Sequence, residues 1–306
     1  MLLNILLLVI GFVLLIRGAD AFVDGASALA RRFHFPEIIV GLTVVAMGTS
    51  APEVAVSFSS ALHGADGLAI GNALGSNIAN ILLVLGISAI ITPLIFKDKT
   101  IQYEIPFSIF VTIVLMWLGV RYGAITRGGA VVLLLLFVVF LGYLFWGAKQ
   151  KKVKSQKIPE ISLVKTIVFL VLGIMALIFG SNLTVNSATN LATVLHVPNR
   201  TIGLTIIAVG TSLPELVTCI TAARKKHVDL VIGNIIGSNI FNILFVLGIA
   251  GFAHSITFEY AFAIDAAIAV IVSIMLWLCA IYTKTLSRKM GWLFLICYAG
   301  YLIYLI

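Results

Sequence analysis

Long apolar runs alternate with short polar breaks along the whole chain. A membrane-crossing helix needs about 20 apolar residues. Stretches that meet this length cover 2–30, 37–62, 67–94, 102–121, 126–148, 162–193, 199–223, 229–253, 258–282 and 289–306. They fall five on each side of the lysine-rich segment 149–157, the one obvious linker. The pattern predicts an all-α integral membrane protein of ten transmembrane helices. Residues 1–148 form a first half, 149–161 a basic linker and 162–306 a second half. Met1 opens an apolar run with no basic region before it and no small-residue cleavage site, which predicts a retained first helix rather than a signal peptide.

One segment occurs twice. Residues 41–81 and 203–243 align without a gap, with 20 of 41 positions identical. The identities fall on polar and helix-breaking residues: Gly48-Thr49-Ser50, Pro52-Glu53, Gly71-Asn72, Gly75-Ser76-Asn77 and Asn80, each matched 162 residues later. Both copies lie inside spans, where polar residues are costly. Their repetition points to a function at mid-membrane.

Composition agrees with the pattern and excludes a soluble enzyme or nucleic-acid binder. Hydrophobic residues make up 61% of the chain, charged residues only 10%, and the mean hydropathy is +1.16. A soluble domain carries about 25% charged residues. The net charge of +8 is explained by its placement. One alternate set of loops carries fifteen Lys and Arg, the other only Arg121, Arg127 and Arg200. Basic loops stay in the cytoplasm, so the linker is cytoplasmic and both termini face outside. Five spans per half is an odd number, so the second half enters from the opposite side. Inverted repeats of this kind build alternating-access transporters. Cys219, Cys279 and Cys297 lie singly in apolar segments and read as packing or membrane-facing residues rather than a metal or redox site. Arg17, Asp20 and Asp24 share one face of the first helix and read as a local ion pair.

The chemistry concentrates in the repeated motif. Glu53 and Asn80 lie near the middles of adjacent antiparallel spans, and Glu215 and Asn242 repeat them. An unpaired carboxylate at mid-membrane costs several kcal/mol, and no Lys or Arg sits at matching depth within either motif. Pro52 and Pro214 lack an N–H and break the helix. The break is expected to free carbonyls of Ala46, Thr49, Ala208 and Thr211, while Thr49, Ser50, Thr211 and Ser212 add hydroxyls. Gly75-Ser76-Asn77 and Gly237-Ser238-Asn239 are expected to form a second pair of breaks. No histidine or cysteine joins these oxygens. An all-oxygen set with two carboxylates suits hard cations such as Ca²⁺ and Na⁺, not Zn²⁺ or Cu⁺.

The chain resembles the sodium/calcium exchangers of the Ca²⁺/cation antiporter superfamily, prokaryotic type. Each repeat carries G-T-S-x-P-E and G-N-x-x-G-S-N-I-x-N. The resemblance implies Ca²⁺/Na⁺ antiport in a prokaryotic plasma membrane, with the ions as substrates and no resident cofactor. It implies that Glu53 and Glu215 bridge the ions. It assigns oxygen ligands to Ala46, Thr49, Ser50, Ser76 and Asn80, and to Ala208, Thr211, Ser212, Ser238 and Asn242. Proton-coupled relatives usually carry a G-N-A-A-E-like motif, so Gly48-Thr49-Ser50 favours sodium as the counter-ion. Some relatives have Asp where Asn242 stands, so the formal charge here is −2 rather than −3. H⁺/Ca²⁺ exchange on the same scaffold and a passive cation channel are the competing readings.

Overall fold

The computed structural model describes residues 1–150, 162–195 and 208–305. The linker lysines after Gln150 and the first part of the second repeat lie outside the described residues. The elements run α1 (Leu2–Arg32), α2 (Glu37–Thr49), α3 (Ala51–Leu62), α4 (Asp66–Ile91), α5 (Thr100–Tyr122) and α6 (Arg127–Gln150). They continue as α7 (Leu163–Val194), α8 (Ala208–Thr211), α9 (Leu213–Arg224), α10 (Val228–Ala253), α11 (Tyr260–Thr283) and α12 (Arg288–Leu305). Among the described residues, seven helices are long and apolar enough to cross a membrane, or eight if the bent pair α2–α3 counts as one span. The protein is therefore a multi-pass, mostly helical membrane protein. Helices dominate because every backbone polar group in lipid must find its partner within its own segment.

The helices are not equally central. In its most apolar stretch α10 is 94% buried and α4 is 72%, whereas α1 and α7 are each 22%. The two motif-bearing helices thus form the middle of the bundle, and α1 and α7 pack along its side. Close approach of α1 and α7 requires glycine. A Cβ on Gly18 would lie 2.9 Å from the Gly173 carbonyl oxygen, and one on Gly180 2.9 Å from that of Gly11.

Two small sheets tie the halves together at the loops. β1 (Leu94–Ile95) pairs antiparallel with β4 (Thr285–Leu286), and β2 (Ala124–Ile125) with β3 (Ile256–Thr257). Each joins a connection in the first half to one in the second.

Two expectations are corrected here. Gly75-Ser76-Asn77 and Gly237-Ser238-Asn239 do not break their helices: regular α-helix runs over Asp66–Ala79 and Val228–Phe241. The irregularity starts one turn later, as π-helical turns over Asn80–Leu85 and Asn242–Val246. The backbone hydrogen bonds are kept in a wider turn rather than abandoned, which is the cheaper distortion in a dry interior. Asp20 and Asp24 do not pair with Arg17. Lys225, beyond α9, reaches both, at 3.2 and 2.8 Å.

Candidate ion-binding centre

The break around each Glu is the same in both halves. Ser50 separates α2 from α3 with φ −83° and ψ 11°, and Ser212 precedes α9 with φ −88° and ψ 7°. Pro52 and Pro214 then stand in the first turn, where a missing N–H costs no helical bond. The α2–α3 break bends the chain by 49°. Glu53 and Glu215 sit in the first turns of α3 and α9, and both are buried, at 1% and 0% exposure.

Hydroxyls hold one oxygen of each carboxylate. Ser50 donates to Glu215 Oε1 at 2.9 Å, and Ser76 to Glu53 Oε1 at 3.5 Å. Ser50 also lies 3.0 Å from the Ser238 hydroxyl, as Ser212 lies 3.4 Å from Ser76. Of the expected ligands, Ala46, Thr49, Ser50, Ser76, Asn80, Ser212, Ser238 and Asn242 are all buried. Thr211 is half-buried, and of Ala208 only the backbone is described. The Ala46 carbonyl is not simply freed by the break. It accepts from the Ser50 N–H at 3.0 Å and from the Ser238 hydroxyl at 3.5 Å.

Four asparagines complete the centre. Asn77 and Asn239 donate to each other's backbone carbonyls. Their Oδ1 atoms accept from Asn242 at 3.2 Å and Asn80 at 3.0 Å. Glu53 Oε2, Glu215 Oε2, Asn80 Oδ1 and Asn242 Oδ1 are then left buried with no hydrogen-bond partner. An unsatisfied buried acceptor costs about 1–3 kcal/mol, and more when charged. Four of them, symmetric in sequence and all oxygen, fit a bound hard cation. Among the described residues no group of three or more His, Cys, Asp and Glu side chains gathers anywhere.

Asn72 and its counterpart Asn234 belong to the repeated polar set, Cys219 reads from sequence as a packing or membrane-facing residue, and Ser57 carries no expectation. Asn72 donates to Ser57 at 2.9 Å, and its counterpart Asn234 donates to Cys219 Sγ at 3.3 Å. Asn234 Oδ1 in turn lies 3.1 Å from the Thr49 hydroxyl and 3.4 Å from that of Ser238. These pairs orient the groups that flank the centre. Ser57 and Cys219 stand 162 residues apart, the offset of the repeat, and that correspondence was the available signal.

Such a buried, oxygen-lined centre between broken helices defines a membrane ion transporter rather than an enzyme. The sequence profile of the "Sodium/calcium exchanger protein" family matches residues 3–146 and 165–306, and the chain belongs to that family. It is 43% identical over 257 residues to the "Putative antiporter CaxA" of Alkalimonas amylolytica, covering 81% of this chain and 80% of that protein. It is 29% identical over 343 residues to the "Sodium/calcium exchanger MaX1" of Methanosarcina acetivorans, covering 99% and 98%. A solved structure of the sodium-calcium exchanger NCX_Mj, soaked with zero Na⁺ and Ca²⁺, superposes with a TM-score of 0.87 at 35% identity, covering 100% of this chain and 99% of that one. Another, soaked with 10 mM Na⁺ and 10 mM Sr²⁺, gives 0.86 at 35%, covering 97% of each.

Proposed function

We propose that this chain exchanges Ca²⁺ for Na⁺ across a prokaryotic plasma membrane by alternating access. The observation that carries the reading is the set of four unpartnered buried oxygens on Glu53, Glu215, Asn80 and Asn242. Two carboxylates and two amide oxygens replace part of the hydration shell of a hard cation, and the formal charge of −2 is neutralised by one Ca²⁺ or two Na⁺. Ala46, Thr49, Ser50 and Ser76, with Ala208, Thr211, Ser212 and Ser238, supply the remaining hydroxyl and carbonyl oxygens. The same site thus serves two substrates in turn, which is the requirement for exchange.

The proposed topology is ten spans in two inverted halves, 1–148 and 162–306, with linker 149–161 in the cytoplasm and both termini outside. Three observations support it. The hydrogen bonds of the Asn and Ser pairs repeat at an offset of 162. The cross-half strand pairs follow the same exchange. The basic residues crowd one alternate set of loops. The glycine-mediated contact between α1 and α7 suits sliding of that pair along the core.

Uptake of ⁴⁵Ca²⁺ into proteoliposomes tests the function. An outward Na⁺ gradient is expected to drive uptake, and K⁺ is expected not to replace it. Uptake driven by a pH gradient without Na⁺ would move the protein to proton coupling. Flux that persists without any counter-ion would make it a channel.

A further inference from the structure

Arg17, Asp20 and Asp24 share one face of α1, and the ion centre uses none of them. Lys225, the residue that follows α9, bridges the two acids. Its Nζ lies 3.2 Å from Asp20 Oδ1 and 2.8 Å from Asp24 Oδ1, and it donates to the Asp20 carbonyl at 3.2 Å. Phe22 stands between the acids on α1 and is buried. A Cβ on Gly48 would come 2.9 Å from the tip of the Phe22 ring. Gly48 directly precedes Thr49, which is buried and is one of the proposed ligands. The ion pair thus holds Phe22 against the Thr49 flank of the ion centre.

The other half lacks these charges. At the repeat offset of 162, Asp20, Phe22 and Asp24 correspond to Asn182, Thr184 and Asn186 on α7, and Lys225 corresponds to His63. His63 turns its Nδ1 to the Ser59 carbonyl on its own helix at 2.8 Å, and among the described residues it bonds neither asparagine. Thr211, the counterpart of Thr49, is only half-buried.

Alternation between inverted repeats exchanges the relation of each half to the other. After that exchange Lys225 stands to Asp20 and Asp24 as His63 now stands to Asn182 and Asn186, without a bond. Carboxylates stranded on a span are costly. Arg17 offsets that cost. It is exposed and has no ion pair among the described residues. It lies three positions before Asp20, a spacing at which helix side chains meet.

We propose that Asp20 and Asp24 form a two-position latch. Lys225 holds them while the Thr49 flank is closed, and Arg17 takes Asp20 when α1 slides. The second half has no counterpart, so the latch favours the closed Thr49 flank over the exchanged state. It rests on the alternating-access reading, since α1 must move for it to open.

Double electron–electron resonance on the full-length protein in lipid nanodiscs reads the position of α1 without relying on transport. Labels go on Phe12→Cys of α1 and Val138→Cys of α6, both exposed, with the half-buried Cys297 changed to Ser. Helix α6 packs on α10 and so reports the core. Two distance populations are expected, latched and slid, in Na⁺ and in Ca²⁺ buffers. Lys225→Met is expected to lower the latched-to-slid ratio by about fivefold, the upper worth of a part-exposed ion pair. Arg17→Met removes the second partner and is expected to raise the same ratio. A loss of packing alone would move both variants the same way, whereas an exchange of partners moves them in opposite directions. Two populations whose ratio ignores both substitutions, or shifts the same way in both, would overturn the latch and leave the sliding intact. A single distance in every variant and buffer would overturn the sliding of α1, and the latch with it.

Discussion

Asn77 and Asn239 exchange the same hydrogen bond: each side-chain amide donates to the other's backbone carbonyl, at 3.1 and 3.2 Å. A carbonyl only accepts, so both NH₂ groups are committed and both Oδ1 atoms are turned the other way. There they accept from the amides of Asn242 and Asn80. Those amides are pinned in turn, which leaves Asn80 Oδ1 and Asn242 Oδ1 as free acceptors. Asn77 and Asn239 therefore orient the oxygens offered to an ion rather than offering their own.

Asn77→Ala or Asn239→Ala releases one of those amides. Outer partners of metal ligands are worth roughly ten- to a hundredfold in affinity, so the apparent Ca²⁺ affinity in proteoliposome uptake is expected to fall by that amount. A wild-type affinity in either folded variant would show that the amide chain does not set the site.

Glu53→Gln and Glu215→Gln each remove one of two anionic ligands and keep the volume. Ca²⁺ transport is expected to fall by more than about a hundredfold, exceeding the loss of an outer partner. The thermal midpoint is expected to stay level or rise, because a buried charge has been removed. Near-normal ⁴⁵Ca²⁺ uptake by either variant sinks the carboxylate assignment.

Asn242→Asp sets a carboxylate oxygen against Asn77 Oδ1, acceptor to acceptor, and adds a third acid near Glu53 and Glu215. Both effects favour the protonated form, which donates where the amide did. The acid is therefore neutral at low pH and competes for Ca²⁺ as a proton site. Apparent Ca²⁺ affinity is expected to rise more steeply between pH 6 and 9 than in the wild type, and Asn80→Asp is expected to do the same. Flat profiles in both would place these side chains away from the ions.

Gly233 marks the contact of α10 with α2. A Cβ there would lie 2.5 Å from the Ile38 carbonyl oxygen and 2.9 Å from Gly41 Cα. Backbone on the far side does not yield, so Gly233→Ala is expected to destabilise by about 1–3 kcal/mol. Gly142 on α6 meets nothing within 4 Å, and Gly142→Ala is expected to stabilise by up to about 1 kcal/mol through helix propensity. Thermal midpoints in one detergent compare the two; equal shifts would remove the packing argument.

Much of this protein is local and was readable as such. The apolar runs set the helices because lipid admits few alternatives, and the repeated G-T-S-x-P-E placed Glu53 and Glu215 at a helix break. The pairing of each serine with a carboxylate was not readable. Ser50 serves Glu215 across 165 positions, while Ser76 serves Glu53 within its own half. Nor were the π turns at Asn80 and Asn242, since a regular α-helical pattern and a one-residue widening share the same apolar sequence. The misplaced breaks at Gly75 and Gly237 have this cause. Composition assigns small residues to packing or to breaks equally well, and only neighbours decide. Gly237 is small because a Cβ would come within 2.7 Å of Leu42 Cα in the other half. Lys225 meets Asp20 and Asp24 for a like reason: its partners lie some 200 residues away, and only the packing of α1 beside α9 brings them within reach. The sequence by itself determined which groups enter the membrane. Tertiary structure decided which oxygens are satisfied there and which are left for an ion, because hydrogen-bond partners in a dry interior are set by distance in space.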